Sequence, residues 1–90
     1  MSDERLHVYA QADWHDTAVI FGNRAAIEVL RKLCDAALES AKSSGEFMTE
    51  DGEGYNLRLV CSDDADVWSK AQLPYTEEHA QDWRDGKVIP

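Results

Sequence analysis

One stretch constrains this chain more than any other: the amphipathic run from Arg24 to about Lys42, set between two stretches that alternate. Ile27, Leu30, Cys34, Ala37 and Ala41 recur within it at spacings of three and four, and Ala26, Leu33 and Leu38 widen the apolar face. Glu28, Lys32, Asp35, Glu39 and Lys42 form the complementary polar stripe. This is the 3.6-residue period of a helix that buries one side. Asn23 is placed to cap its start, and "SSG" at Ser43–Gly45 reads as a glycine stop. Glu28 and Lys32 add an i,i+4 pair in the favourable order, worth a few tenths of a kcal/mol.

On the N-terminal side the period changes to two. In "LHVYAQAD" (Leu6–Asp13), Leu6, Val8, Ala10 and Ala12 alternate with His7, Tyr9, Gln11 and Asp13, the signature of a half-buried strand. After the polar break "WHD", Thr17–Gly22 is β-branched and aromatic enough for a second strand, making a hairpin. Beyond the helix, "EFMT" can pair with "YNLRLVC", where Tyr55, Leu57, Leu59 and Cys61 share one face and Asn56, Arg58 and Val60 the other. The expected fold is therefore α+β, in the order ββαββ: a four-stranded antiparallel sheet with one main helix on one face, in a single domain over residues 1–90. After Cys61 the chain turns acidic. Asp64 or Asp66 can open a short helix through Gln72, and Thr76 can cap a second over "EEHAQDWRD". This short, partly helical C-terminal tail is expected to pack through Trp68, Leu73, Tyr75 and Trp83.

Charge narrows the function classes. Eighteen acidic against nine basic residues give a net charge of −9. Residues 1–45 carry seven acids and five bases, whereas residues 46–90 carry eleven acids and four bases. Binding to a phosphate backbone or an anionic membrane needs clustered Lys and Arg, so both partners are disfavoured. A basic protein partner is favoured instead. No apolar run approaches the roughly 18–20 residues that span a bilayer, and "MSDERLHVYAQ" lacks the layout of a secretion signal. A cytoplasmic protein is expected. Its two cysteines, Cys34 and Cys61, are then expected to be reduced and buried.

Specific chemistry is hard to place. The acidic "FMTEDGEGYNLRLV" (Phe47–Val60) invites a calcium-loop reading. With Gly54 at position six, however, position one is Thr49 and position twelve is Val60, so both end ligands are missing. A dinucleotide loop fails as well, because Leu57 stands where a third glycine belongs and a strand follows. A hairpin turn explains the segment without a ligand. "DWHD" (Asp13–Asp16) and His7 offer metal-ligating types, but His7 and Asp13 lie roughly 20 Å apart along a strand, so no metal is expected. No nucleophile elbow, zinc-protease motif or P-loop is present, and no cofactor or catalytic residue is indicated.

"FMTEDGEGYNLRLV" and "LPYT" together resemble a recurrent type of short, uncharacterised bacterial and phage proteins. In these, a hairpin, one helix and a "DGEGY"-bearing second hairpin precede a tail with "LPYT". The resemblance covers most of the chain and implies the fold and a bacterial origin. It brings no activity and no site residues.

The leading expectation is a non-enzymatic acidic protein that occupies a basic surface of another macromolecule, as immunity proteins and defence inhibitors do. Its contact residues would be Trp68, Tyr75 and Trp83 among Asp63, Asp64, Asp66, Glu77, Glu78 and Asp82. The alternative is a small-molecule sensor or small enzyme that uses the open sheet face, with His7, Tyr9 and Arg58 as polar contacts. A second copy of the chain is one candidate to cover that face, so homodimerisation is a further expectation.

Overall fold

The structure is a computed structural model that describes residues 4–10 and 17–71. The chain divides into two units, Met1–Tyr9 with Val19–Cys61, and Ala10–Ala18 with Ser62–Pro90. The first contains strands β1 (Leu6–Tyr9) and β2 (Val19–Gly22), helix α1 (Arg24–Ser40), and strands β3 (Lys42–Met48) and β4 (Gly54–Val60). The second contains the short helix α2 (Ala65–Lys70). No described helix is long and apolar enough to cross a membrane.

The α+β class and the single main helix are as the sequence predicts, but the strands form two antiparallel two-stranded sheets, β1–β2 and β3–β4. They meet at one bridge, Arg5 to Met48, and that bridge is parallel. The Met48 N–H donates to Glu4 O at 3.0 Å there. A parallel neighbour needs a crossover connection of about a dozen residues or more, and α1, at 17 residues, supplies it. The continuous four-stranded antiparallel ladder is therefore replaced by two hairpins sharing a short parallel seam. The described pairing of β1 runs to Tyr9 opposite Val19; the last part of the predicted strand, from Gln11 to Asp13, lies outside the described residues, as does "DWHD".

Helix α1 begins as its sequence requires. The Ala26 N–H donates to Asn23 Oδ1 at 2.9 Å, and the Asn23 N–H donates to Arg5 O at 3.1 Å, so one residue caps the helix and ties it to β1. Its end differs. The cap is Ala41, left-handed at φ 72°, with its N–H donating to Ala37 O at 2.8 Å. The predicted glycine stop instead lies inside β3, where Gly45 faces Leu57. A Cβ at Gly45 would lie 2.9 Å from Leu33 Cδ1, so this glycine lets strand and helix approach closely.

That exchange yields a testable outcome. A left-handed non-glycine residue costs about 1–2 kcal/mol; glycine removes that strain, but its greater unfolded-state entropy cancels part of the gain. Ala41→Gly is expected to stabilise the protein by about 0.5–1 kcal/mol, read as a rise in the denaturant midpoint at constant slope.

The core lies between α1 and the inner faces of the strands. Leu6, Ala26 and Phe47 are buried, and Val29, Leu30, Leu33, Tyr55 and Leu57 pack against them. The register places Phe47 opposite Tyr55 and Gly45 opposite Leu57, facing the helix, while Ser44 pairs with Arg58 and Glu46 with Asn56 on the exposed face. The Tyr55 hydroxyl donates to Leu6 O at 2.6 Å, joining β4 to β1. Burial pushes its phenol above the ordinary value of 10.0.

The buried arc of α1 is narrower than the sequence pattern. Ala26 and Ala37 are buried, whereas Ile27, Cys34 and Leu38 are exposed. Cys61, just beyond β4, is exposed as well. Both thiols are free, and the expectation of two buried cysteines is corrected. A helix resting on short hairpins covers only part of its apolar stripe, and Cys34 falls beside the covered part.

Candidate functional site

The first candidate is built on β1. Arg5, His7 and Tyr9 occur at every second position and so share one side of the strand. The loop between β3 and β4 closes onto that side. The Glu50 N–H donates to His7 Nε2 at 2.9 Å, and His7 Nδ1 lies 2.7 Å from the Tyr9 hydroxyl oxygen. Because Nε2 accepts, the neutral ring carries its proton on Nδ1, aimed at Tyr9. Arg5 reaches the same residue from the other side, its Nη1 being 3.0 Å from Glu50 Oε2 in a solvent-exposed ion pair. Phe21, opposite His7 on β2, meets the imidazole edge-on with ring centroids 6.4 Å apart. An open depression of about 620 Å³ lies between β1 and this loop, with His7, Tyr9, Thr49, Asp51 and Tyr55 in its lining.

The loop holds itself together. The Thr49 N–H donates to Glu53 O at 2.9 Å and the Gly52 N–H to Thr49 O at 3.0 Å. Gly52 has φ +86°, the backbone that favours glycine, whereas Gly54 already belongs to β4. Asp51 Oδ1 accepts from the Thr49 hydroxyl and from the Glu53 N–H. The acidic segment is a hairpin turn whose central carboxylate is spent on its own backbone. The hydroxyl of Thr49, then the N–H of Glu53, hold the Asp51 carboxyl below its ordinary value of 3.8.

A depressed carboxyl stabilises the folded state above its unfolded value, and that contribution is lost as pH falls through the lower folded value. The gap in Tm between the native protein and Asp51→Ala should therefore be constant above about pH 5 and close in more acidic solution. A gap independent of pH down to the acid limit would remove the carboxylate from this role.

The alternative site expected from the sequence is thus assembled only in part. His7 and Tyr9 come together, but Arg58 pairs with Ser44 on the β3–β4 hairpin and does not line the depression. The structure adds Arg5 and Glu50, 45 residues apart, which no local pattern connects. Only the Arg5–His7–Tyr9 spacing offers a hint. Among the described residues, no three His, Cys, Asp or Glu side chains converge as metal ligands.

The second candidate is the start of the acidic segment. Asp64 caps α2, its Oδ1 accepting from the Asp66 N–H at 2.9 Å, while its own N–H donates to Ser62 Oγ at 3.1 Å. The Trp68 indole N–H donates to Ser62 O at 2.8 Å. The ring is nevertheless 67% exposed. The expectation that Trp68 anchors the tail by packing is corrected: the hydrogen bond fixes its pose and leaves its faces to solvent. Asp63, Asp64 and Asp66, just ahead of it in the chain, are exposed, and so is Lys70 after it. The remaining predicted contact residues, Tyr75, Glu77, Glu78, Asp82 and Trp83, lie outside the described residues.

Comparison with family models, with curated proteins and with solved structures returned no match for this chain.

Proposed function

We propose that this protein is a non-enzymatic, acidic binding protein that occupies a basic surface of another macromolecule, in the cytoplasm of a bacterial host. The observation that carries this reading is Trp68: an aromatic ring 67% exposed, held by its indole N–H on Ser62 and flanked by exposed Asp63, Asp64 and Asp66. An oriented aromatic anchor on a helix that opens with exposed carboxylates, with Lys70 as the one base at its end, suits a basic partner, the aromatic supplying affinity and the carboxylates supplying steering. The alternative, a small-molecule site at His7 and Tyr9, is less well supported. Both imidazole nitrogens are already engaged within the protein, and Arg58 lies elsewhere.

Self-association belongs to the same proposal. Among the described residues β2 is an edge strand, and neither it nor β1 carries an Asp, Glu, Lys or Arg. Two chains of net charge −9 can approach most closely there. Sedimentation of the native protein and of Phe21→Asp would show a dimer that the substitution dissolves.

The deciding experiment is affinity capture from a lysate of the source organism, washed at low and at high salt. A basic protein retained at low salt and lost at high salt is the expected result. Retention that ignores salt, or recovery of nothing but the bait, would sink the reading.

A further inference from the structure

We propose that His7 is a pH-sensitive latch: its neutral ring holds the Thr49–Glu53 loop against β1 through the Glu50 amide, and protonation of the ring releases that amide. The inference starts from the donor and acceptor roles on the two sides of the 2.9 Å contact. A backbone N–H can only donate, so His7 Nε2 must present a lone pair. The ring is committed to the Nδ1–H tautomer, and the Tyr9 hydroxyl at 2.7 Å stands where that proton points. An added proton has one place to go, Nε2, and it would then face the Glu50 N–H donor to donor. The bond becomes a repulsion and the loop has to move away.

The groups facing the ring come from every element around it. Arg5 and Tyr9 stand beside it on β1, Glu50 and Asp51 on the loop, and Tyr55 of β4 lines the same depression; β2 presents the uncharged Phe21. Asp51 lies near enough to feel the charge of the imidazole. A protonated ring thus loses an amide but finds carboxylates on the same loop, which exchanges a geometrically fixed tie for a looser electrostatic one. The exchange stays local. The seam between β1 and β3 is the backbone bond from Met48 N–H to Glu4 O, which has no titratable member. The Arg5–Glu50 pair is exposed and weak by itself. His7 is therefore the one titratable side chain that receives a loop amide from across the seam among the described hydrogen bonds, and imidazole is the group that changes charge between about pH 5 and 8.

Nitrogen-detected NMR of the His7 ring, with the Glu50 amide followed on the same full-length sample across that pH range, tests this. At high pH the ring should show the Nδ1–H tautomer. On acidification the Glu50 amide exchange rate, corrected for its intrinsic pH dependence, should rise roughly two- to tenfold, the loss of one hydrogen bond. Its midpoint should coincide with that of the His7 ring. In His7→Gln, where a side-chain oxygen accepts at every pH, the step should vanish. An Nε2–H tautomer at high pH would overturn the latch, as would a Glu50 amide that keeps its protection while His7 titrates. The tautomer reading needs no variant, so a poorly folded His7→Gln leaves the test intact.

Discussion

Leu6→Ala is expected to lower the free energy of unfolding by about 2–5 kcal/mol, and Phe47→Ala by about 3–5 kcal/mol. Leu6 is 0% exposed and Phe47 3%, and together with Ala26 they form the buried cluster that joins α1 to both hairpins. Leu6 stands on β1, whose seam with β3 is a single bridge, so lost packing is not recovered by sliding along a ladder. A domain of this size has a total stability of only about 5–13 kcal/mol. Either truncation therefore removes a large share of it, and Phe47→Ala is the variant nearest to unfolding at ambient temperature. Urea titration followed by circular dichroism measures the effect. Leu38→Ala is the control: Leu38 lies on the same helix at 72% exposure, and its truncation should change stability by no more than about 0.5 kcal/mol. Similar losses at Leu38 and Leu6 would mean that the core does not lie where it is described.

The second large effect concerns binding. Trp68→Ala should weaken capture of the basic partner by roughly 30-fold or more, the usual scale for a central aromatic anchor, while leaving the unfolding curve nearly unchanged. Its indole makes one hydrogen bond, to Ser62, and buries little within the protein, so stability and affinity separate cleanly. Asp63→Asn with Asp66→Asn should act differently. Removing exposed charges slows association and flattens the salt dependence, with a smaller change in dissociation. Biolayer interferometry on the captured partner reads both rates. Full affinity in Trp68→Ala would move the contact surface away from α2.

Several features are legible in the amino-acid sequence alone. Asn23 is a good cap followed by an amphipathic run, and both are local properties that need no partner to be recognised. The loop at Thr49–Glu53 is readable for a similar reason, since failed ligand spacing leaves a turn as the simplest account. An aspartate opener for a short helix after Cys61 is readable too, although the sequence leaves Asp64 and Asp66 open and the structure gives the cap to Asp64.

Other features depend on what lies across the fold. Gly45 looks like a helix stop in one dimension, and only the approach of Leu33 reveals it as a contact point within β3. Cys34 belongs to the apolar pattern of α1, yet its exposure follows from how little of that helix two short hairpins can cover. The joining of His7 to Glu50 spans 43 residues and follows from the parallel seam that brings the loop beside β1.

The amino-acid sequence by itself determined the element types, the helix start, the turn and the acidic balance, because period, capping and charge are properties of neighbours along the chain. Tertiary structure alone decided the separation of the two hairpins into two sheets, the parallel seam, the exposure of Trp68 and the partners of His7. Each of those depends on which surfaces meet, and residues far apart in the chain carry no local mark of the neighbour they will find.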